Sequence, residues 1–223
     1  MPLNAVQVEE LREAIEDYAF PAVYYDFLND QEVLANGMAE VERVIGFQLR
    51  SGSIQSVKDG LANILYWGFA RIGYRDRRVN NLRGNATDRQ LENFQELVSD
   101  GRVPTMNEVR VLRIPEYSGM SFLSKILMFL DPSSFCVLDR QIARLRTHNS
   151  PKALNALSFG PRETQIRITT QNEQTYDSWR NECRAISVNY FQHRYRVVDI
   201  ERGFFNLIQN GRLSLAQQIY NEA

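Results

Sequence analysis

Asp139 is the residue whose type and position point most directly to chemistry. It lies in a stretch from Val109 to Leu145, VRVLRIPEYSGMSFLSKILMFLDPSSFCVLDRQIARL. The stretch reads as a short helix, a tight turn carrying Pro115, Ser118 and Gly119, and a second, apolar helix. A loop then leads to Asp139 at the mouth of a third helix. A turn between two helices leaves backbone N–H groups unpaired at the next helix start, and such groups bind phosphate without a basic side chain. Ser118 and Gly119 are therefore candidate phosphate contacts. A carboxylate at a helix start can stabilise a cation; it is equally a favoured cap, worth about 1 kcal/mol. The two roles are compatible.

A second group follows the aromatic residues Tyr66, Trp67 and Phe69: Arg71, Arg75, Arg77, Arg78 and Arg83. It reads either as a core helix with a solvated connection, or as a basic connection meeting a nucleic-acid backbone, with the aromatics lining a base pocket. In the second reading Arg75, Arg77 and Arg78 are the contacts. No Gly-rich phosphate loop, G-x-G-x-x-G, H-E-x-x-H, paired C-x-x-C or G-x-S-x-G is present. His148 and His193 are far apart, and Cys136 and Cys183 sit in apolar contexts without ligand spacing. The expectation is no metal, no cofactor and two buried free thiols.

The elements that position these residues are helical. Val6, Leu11, Ala14, Ile15 and Tyr18 share one helical face, ending near Pro21, and Ala39 to Leu49 repeats the pattern. Ser53 caps a longer helix through Leu61, Ile64, Leu65, Phe69 and Ile72. Tyr74 to Asn85 reads as a polar connection. Thr87 opens a helix ending at Gly101, and a short one lies between Pro104 and Pro115. Ser121 to Leu130 is apolar. The last third holds two or three helices, the longest over about Tyr176 to Tyr195. Gln165 to Thr170 is a weak strand. The predicted fold class is all-α, with an N-terminal helical region over 1–104 and a hairpin-containing region over 105–223.

At 223 residues, with 43% hydrophobic and 24% charged side chains, the chain can bury a sizeable core and is neither disordered nor a disulfide scaffold. No apolar run reaches the roughly 18 to 20 residues of a membrane helix. The acidic start lacks a secretion pattern, so a cytoplasmic protein is expected. The net charge of −1 argues against a strongly basic nucleic-acid binder. Its distribution says more: residues 1–60 hold four basic and eleven acidic side chains, leaving the remainder positive. Only Lys58, Lys125 and Lys152 are lysines; the other basic residues are arginines, which suit bidentate phosphate contacts and ordinary ion pairs alike.

The Val109–Leu145 stretch resembles the helix-hairpin-helix DNA glycosylase superfamily, and within it the 8-oxoguanine glycosylases, which carry L-P-G-V-G-x-K, an apolar helix, a loop and V-D-x-H. Pro115 matches the hairpin proline, and Leu127 to Asp131 resembles the helix end. Val137-Leu138-Asp139-Arg140-Gln141-Ile142 matches the aspartate segment, with Asp139 on the family's catalytic carboxylate. Tyr176-Asp177-Ser178-Trp179 resembles the aromatic helix that follows. The resemblance covers roughly residues 105–195. Glu116 and Ser118 stand where the family has glycine, Gly119 is displaced by one, and Met120 occupies the nucleophilic lysine's position.

Lys125 lies five residues after Met120. On an ideal helix it sits with Ser121 and Ser124 on the polar side, opposite Phe122, Ile126 and Leu130. It is either a solvated residue or an amine that a shifted hairpin brings into the active cleft. The resemblance implies a glycosylase-like fold with a cleft between helical lobes. It also implies a partner, double-stranded DNA containing a modified base, and an activity, flipping that base (an 8-oxoguanine-type purine) and hydrolysing its N-glycosidic bond, with strand cleavage if Lys125 is the nucleophile. The alternative is a non-catalytic helical module that binds DNA or protein on the same fold.

Overall fold

Helix starts are written into the chain by capping residues. Asn4 and Gln7 cap reciprocally at 3.0 and 2.9 Å, opening α1 (Ala5–Glu16). Ser53 opens α3 (Ile54–Gly68), and the pairs Thr87/Gln90 and Thr105/Glu108 open α5 (Asp88–Val98) and α6 (Met106–Val111). The structure, a computed structural model, describes residues 2–147, 150–160 and 165–223; His148 lies outside them. Those residues are mostly helical, as expected for the all-α class, and the remaining helices are α2 (Met38–Leu49), α4 (Arg75–Asn85), α7 (Met120–Leu130), α8 (Thr170–Phe191), α9 (Val197–Gln209) and α10 (Leu213–Glu222). Among them no helix is long and apolar enough to cross a membrane.

The chain divides into two compact units. One, here the terminal unit, comprises 1–19, 119–124 and 132–223; the other, the middle unit, comprises 20–118 and 125–131. The division falls inside α7, whose first turn belongs to the terminal unit and whose remainder belongs to the middle unit.

In the middle unit α3 is the hub. Nearly every residue from Val57 to Trp67 that could face out is buried instead. Gly60 permits the close crossing of α2, since a Cβ there would stand 2.9 Å from the Gln48 Cβ and 3.0 Å from the Leu49 amide. Two elements depart from the sequence reading. Residues 23–34 form an antiparallel hairpin of β1 (Val23–Asp26) and β2 (Gln31–Leu34), pairing Val23 with Leu34 and Asp26 with Gln31. Asn63 of α3 clasps it, its Oδ1 accepting from Tyr25 N at 2.7 Å and its Nδ2 donating to Tyr25 O at 3.1 Å. The arginine-rich stretch read as a connection is the helix α4; only Val79 and Leu82 bury from it, too few for a periodic signal.

In the terminal unit α1 packs on α9, although nearly the whole chain separates them. Gly203 makes room: a Cβ there would stand 2.6 Å from Ile15 Cγ1. Asn206 Nδ2 donates to the carbonyls of Ala14 and Asp17 at 3.0 and 3.1 Å, satisfying groups that the end of α1 leaves open. The core centres on Trp179, fully buried against Phe204 and Tyr220.

Candidate functional site

The hairpin turn has the backbone geometry of a glycine turn without its glycine. Tyr117 N donates to Ile114 O at 3.2 Å, closing a turn with Pro115 second and Glu116 third. Glu116 adopts φ 72°, the left-handed region that favours glycine. Its carboxylate, with the side chain 8% exposed, accepts from Arg78 at 2.6 Å and from Asn81. Tyr117 is buried and its hydroxyl donates to Leu61 O at 2.6 Å. Ser118 is exposed and Gly119 half-buried, against the Gln165 side chain. At the start of α7 the Met120 N–H is taken by Ile166 O at 3.2 Å, so that amide is not available to a phosphate.

The segment leading to Asp139 is fixed at three consecutive residues. Tyr176 Oη donates to Cys136 O at 2.7 Å, Trp179 Nε1 donates to Val137 O at 3.4 Å, and Leu138 N donates to Ser124 Oγ at 3.0 Å. Ser124 in turn donates to Ser121 O at 3.1 Å. Burial holds the Tyr176 hydroxyl well above its ordinary pKa, so it stays a donor. Asp139 itself is half-buried. Its Oδ1 accepts from Gln141 N at 2.8 Å and Ile142 N at 3.1 Å, and its carbonyl accepts from Ala143 N at 2.9 Å. The cap expected of Asp139 is present, on a single 3-10 turn, Ile142–Leu145, rather than an α-helix. Cys136 and Cys183 are free and fully buried; burial and a hydrogen bond with Cys136 push the Cys183 thiol up, which makes it a poor nucleophile.

Lys125 is not solvated. Its exposure is 6%, because every residue of α7 from Leu123 to Leu130 is buried and the helix has no polar face there. Met120, at the position of the family's lysine, is fully buried. Lys125 falls in the middle unit and Asp139 in the terminal unit.

The arginines of α4 are largely engaged within their own unit. Arg75 pairs with Glu32 at 3.1 Å and Asp76 at 3.4 Å, and its guanidinium lies 3.8 Å from the Tyr66 ring centre. Arg78 is the partner of Glu116. Arg77 is exposed, 5.8 Å from the Tyr74 ring centre. Arg83 pairs with Asp59 and lies 3.9 Å from the Phe27 ring centre. Between this helix and the β-hairpin is an open, polar pocket of about 400 Å³, lined among others by Tyr25, Phe27, Tyr66, Arg75, Asn80 and Arg83. Tyr66 and Arg75 thus line one pocket. Neither Asp139 nor Lys125 lines the pocket.

The parts that sequence reasoning missed are the supports: Ser124, read only as a polar-face residue, and the β-hairpin that walls the pocket. Among the described residues no group of three His, Cys, Asp or Glu side chains could hold a metal ion. No protein-family model, curated protein or solved structure matches the chain. The resemblance therefore rests on the residues of 105–195 quoted above.

Proposed function

We propose that this chain is a DNA N-glycosylase of the cytoplasm that extrudes a modified purine of the 8-oxoguanine type from duplex DNA and hydrolyses its N-glycosidic bond. The glycosylase-like fold is part of the same proposal. One observation carries it: the residues before Asp139 are pinned at Cys136, Val137 and Leu138 by Tyr176, Trp179 and Ser124. Holding three successive backbone groups costs three buried side-chain donors or acceptors, far more than a surface cap requires. The aromatic pair doing the holding is the one whose sequence resembles the family's aromatic helix.

Breaking an N-glycosidic bond builds positive charge on the sugar, as glycoside hydrolysis does. A carboxylate fixed before the reaction stabilises that charge in the transition state more than in the ground state. Asp139 is assigned this role, its Oδ1 anchored by two amides. Water is assigned as the nucleophile, because the position of the family's lysine is the buried, uncharged Met120. The product is then an abasic site with an intact strand.

The test is a panel of duplexes, each with one modified base, scored for abasic sites and treated in parallel with borohydride. Base release without a covalent cross-link is the expected result. A cross-link that disappears in Lys125→Gln would instead assign the amine as nucleophile and add strand cleavage. No release from any duplex, with duplex binding retained, would favour the non-catalytic binding module.

A further inference from the structure

The arginines that sequence spacing assigned to nucleic acid are mostly committed elsewhere: releasing Arg78 would strand the enclosed carboxylate of Glu116, and Arg75 is tied to Glu32. A second group beside Asp139 carries no such commitment. From 132 to 172 the chain has six basic residues, Arg140, Arg144, Arg146, Lys152, Arg162 and Arg167, against two acidic ones, Asp139 and Glu163. Arg162 and Glu163 lie outside the described residues. Arg140, Arg144 and Arg167 are exposed, and none has a carboxylate partner among the described residues. Arg89, Arg110 and Arg184 are exposed too and have no carboxylate partner among the described residues, but they lie outside this positively charged stretch.

Within the terminal unit, the contacts connect this group to Gly119 and the first turn of α7. Arg140 precedes the turn that Asp139 caps and Arg144 lies within it, with Arg144 Nη1 donating to Gln141 at 2.9 Å. Gln217 of α10 donates to the carbonyls of Arg144 and Arg146 at 2.8 and 3.2 Å, fixing the backbone between them. The Arg146 guanidinium lies 4.2 Å from the Phe159 ring centre, and Phe159 bridges to Ile166. Ile166 O receives the first amide of α7, and Gln165 packs by Gly119. Arg167 follows directly, its guanidinium beside Gly160.

We propose that Arg140, Arg144 and Arg167 form the phosphate-contacting face of the terminal unit and hold the backbone of duplex DNA beside Asp139. This rests on the glycosylase reading for its choice of duplex DNA. The physical case is charge complementarity at low cost. Exposed guanidiniums with no ion pair among the described residues offer bidentate contacts to phosphate, and Asp139 alone among the described residues of the segment opposes them. Counterion release then makes binding steeply salt-dependent.

The test titrates an undamaged fluorescent DNA duplex at several salt concentrations with three proteins: the unaltered chain, R140Q/R144Q/R167Q, and the equal-charge comparator R89Q/R110Q/R184Q. The first triple variant should lose at least about 10-fold in affinity and reduce the salt slope by about 2.7, roughly 0.9 per lost phosphate contact. The comparator should change affinity by no more than about twofold. Equal behaviour of the two triple variants would overturn the assignment, as would tighter binding of the unaltered chain to an RNA hairpin than to the duplex. The base-release panel separates this from the parent reading. Undiminished affinity and base release in the first variant sink the face and leave the glycosylase. Arginine-dependent binding with no base release sinks the glycosylase and leaves the face.

Discussion

Glu116 is held at φ 72°, where glycine sits at little cost, yet its carboxylate is nearly enclosed and paired with Arg78 and Asn81. A non-glycine residue in this region costs roughly 1 kcal/mol or more. The residue type therefore trades backbone strain for a partly buried ion pair. Glu116→Gln keeps the strain and removes the charge, whereas Glu116→Gly removes both strain and side chain. Glu116→Gly should be the more stable variant by about 1 kcal/mol in urea titration; the reverse order would mean that side-chain hydrogen bonding outweighs the strain. At Ser124 the stake is a single hydrogen bond to a buried amide. Ser124→Ala should cost about 1–3 kcal/mol, since it leaves Leu138 N–H without its partner. An unchanged unfolding midpoint would remove Ser124 from the supports of Asp139. Asp139 as a cap, the two buried cysteines and the hairpin turn at Pro115 were legible from residue type and spacing. The left-handed Glu116 was not, because a glutamate gives no sequence signal of positive φ and only the backbone reveals it.

At the scale of elements, α1, α2, α3, α5 and α6 were legible to within a few residues, whereas α9 was not placed individually and α8 begins six residues before Tyr176. α4 was not legible: Arg75 to Asn85 is almost wholly polar, and its folding depends on carboxylates and rings distant in sequence, Glu32, Tyr66, Glu116 and Phe27. The β-hairpin has only four residues per strand, and Asn63, nearly forty residues downstream, holds it. Lys125 misled because a helical wheel assigns one polar face, while α7 is enclosed beyond its first turn. The start of α9 supplies an element-scale prediction. Burial raises the Asp199 pKa, but the Arg196 hydrogen bonds and charge, with Arg202 beyond, outweigh it, and the net shift is downward. A carboxylate with a depressed folded pKa contributes stability that is present above its unfolded value and lost as pH falls through the folded one. The contribution should therefore be full above about pH 4 and disappear below it. Melting temperature should fall less steeply below that pH in Asp199→Asn than in the unaltered chain; parallel acid limbs would show that the pair does not contribute.

For the whole molecule, the division into units was the least legible feature. Nothing in α1 announces that it packs on α9, since an amphipathic stripe does not name its partner; Gly203 and Asn206 make the match, and both look ordinary in sequence. The charge asymmetry was legible as a sum, but not which arginines are ion-paired: Arg75 holds Glu32 and Arg78 holds Glu116. What the molecule as a whole is proposed to do still turns on one carboxylate. The most direct test is single-turnover base release by Asp139→Asn on the duplex that the unaltered chain processes, with unfolding measured alongside. Asn can accept the same two amide hydrogens, so stability should change by less than about 1 kcal/mol. Release should slow by at least about 100-fold, which corresponds to about 2.7 kcal/mol of transition-state stabilisation. Release at the unaltered rate by a folded Asp139→Asn would contradict the account and leave Asp139 as a cap.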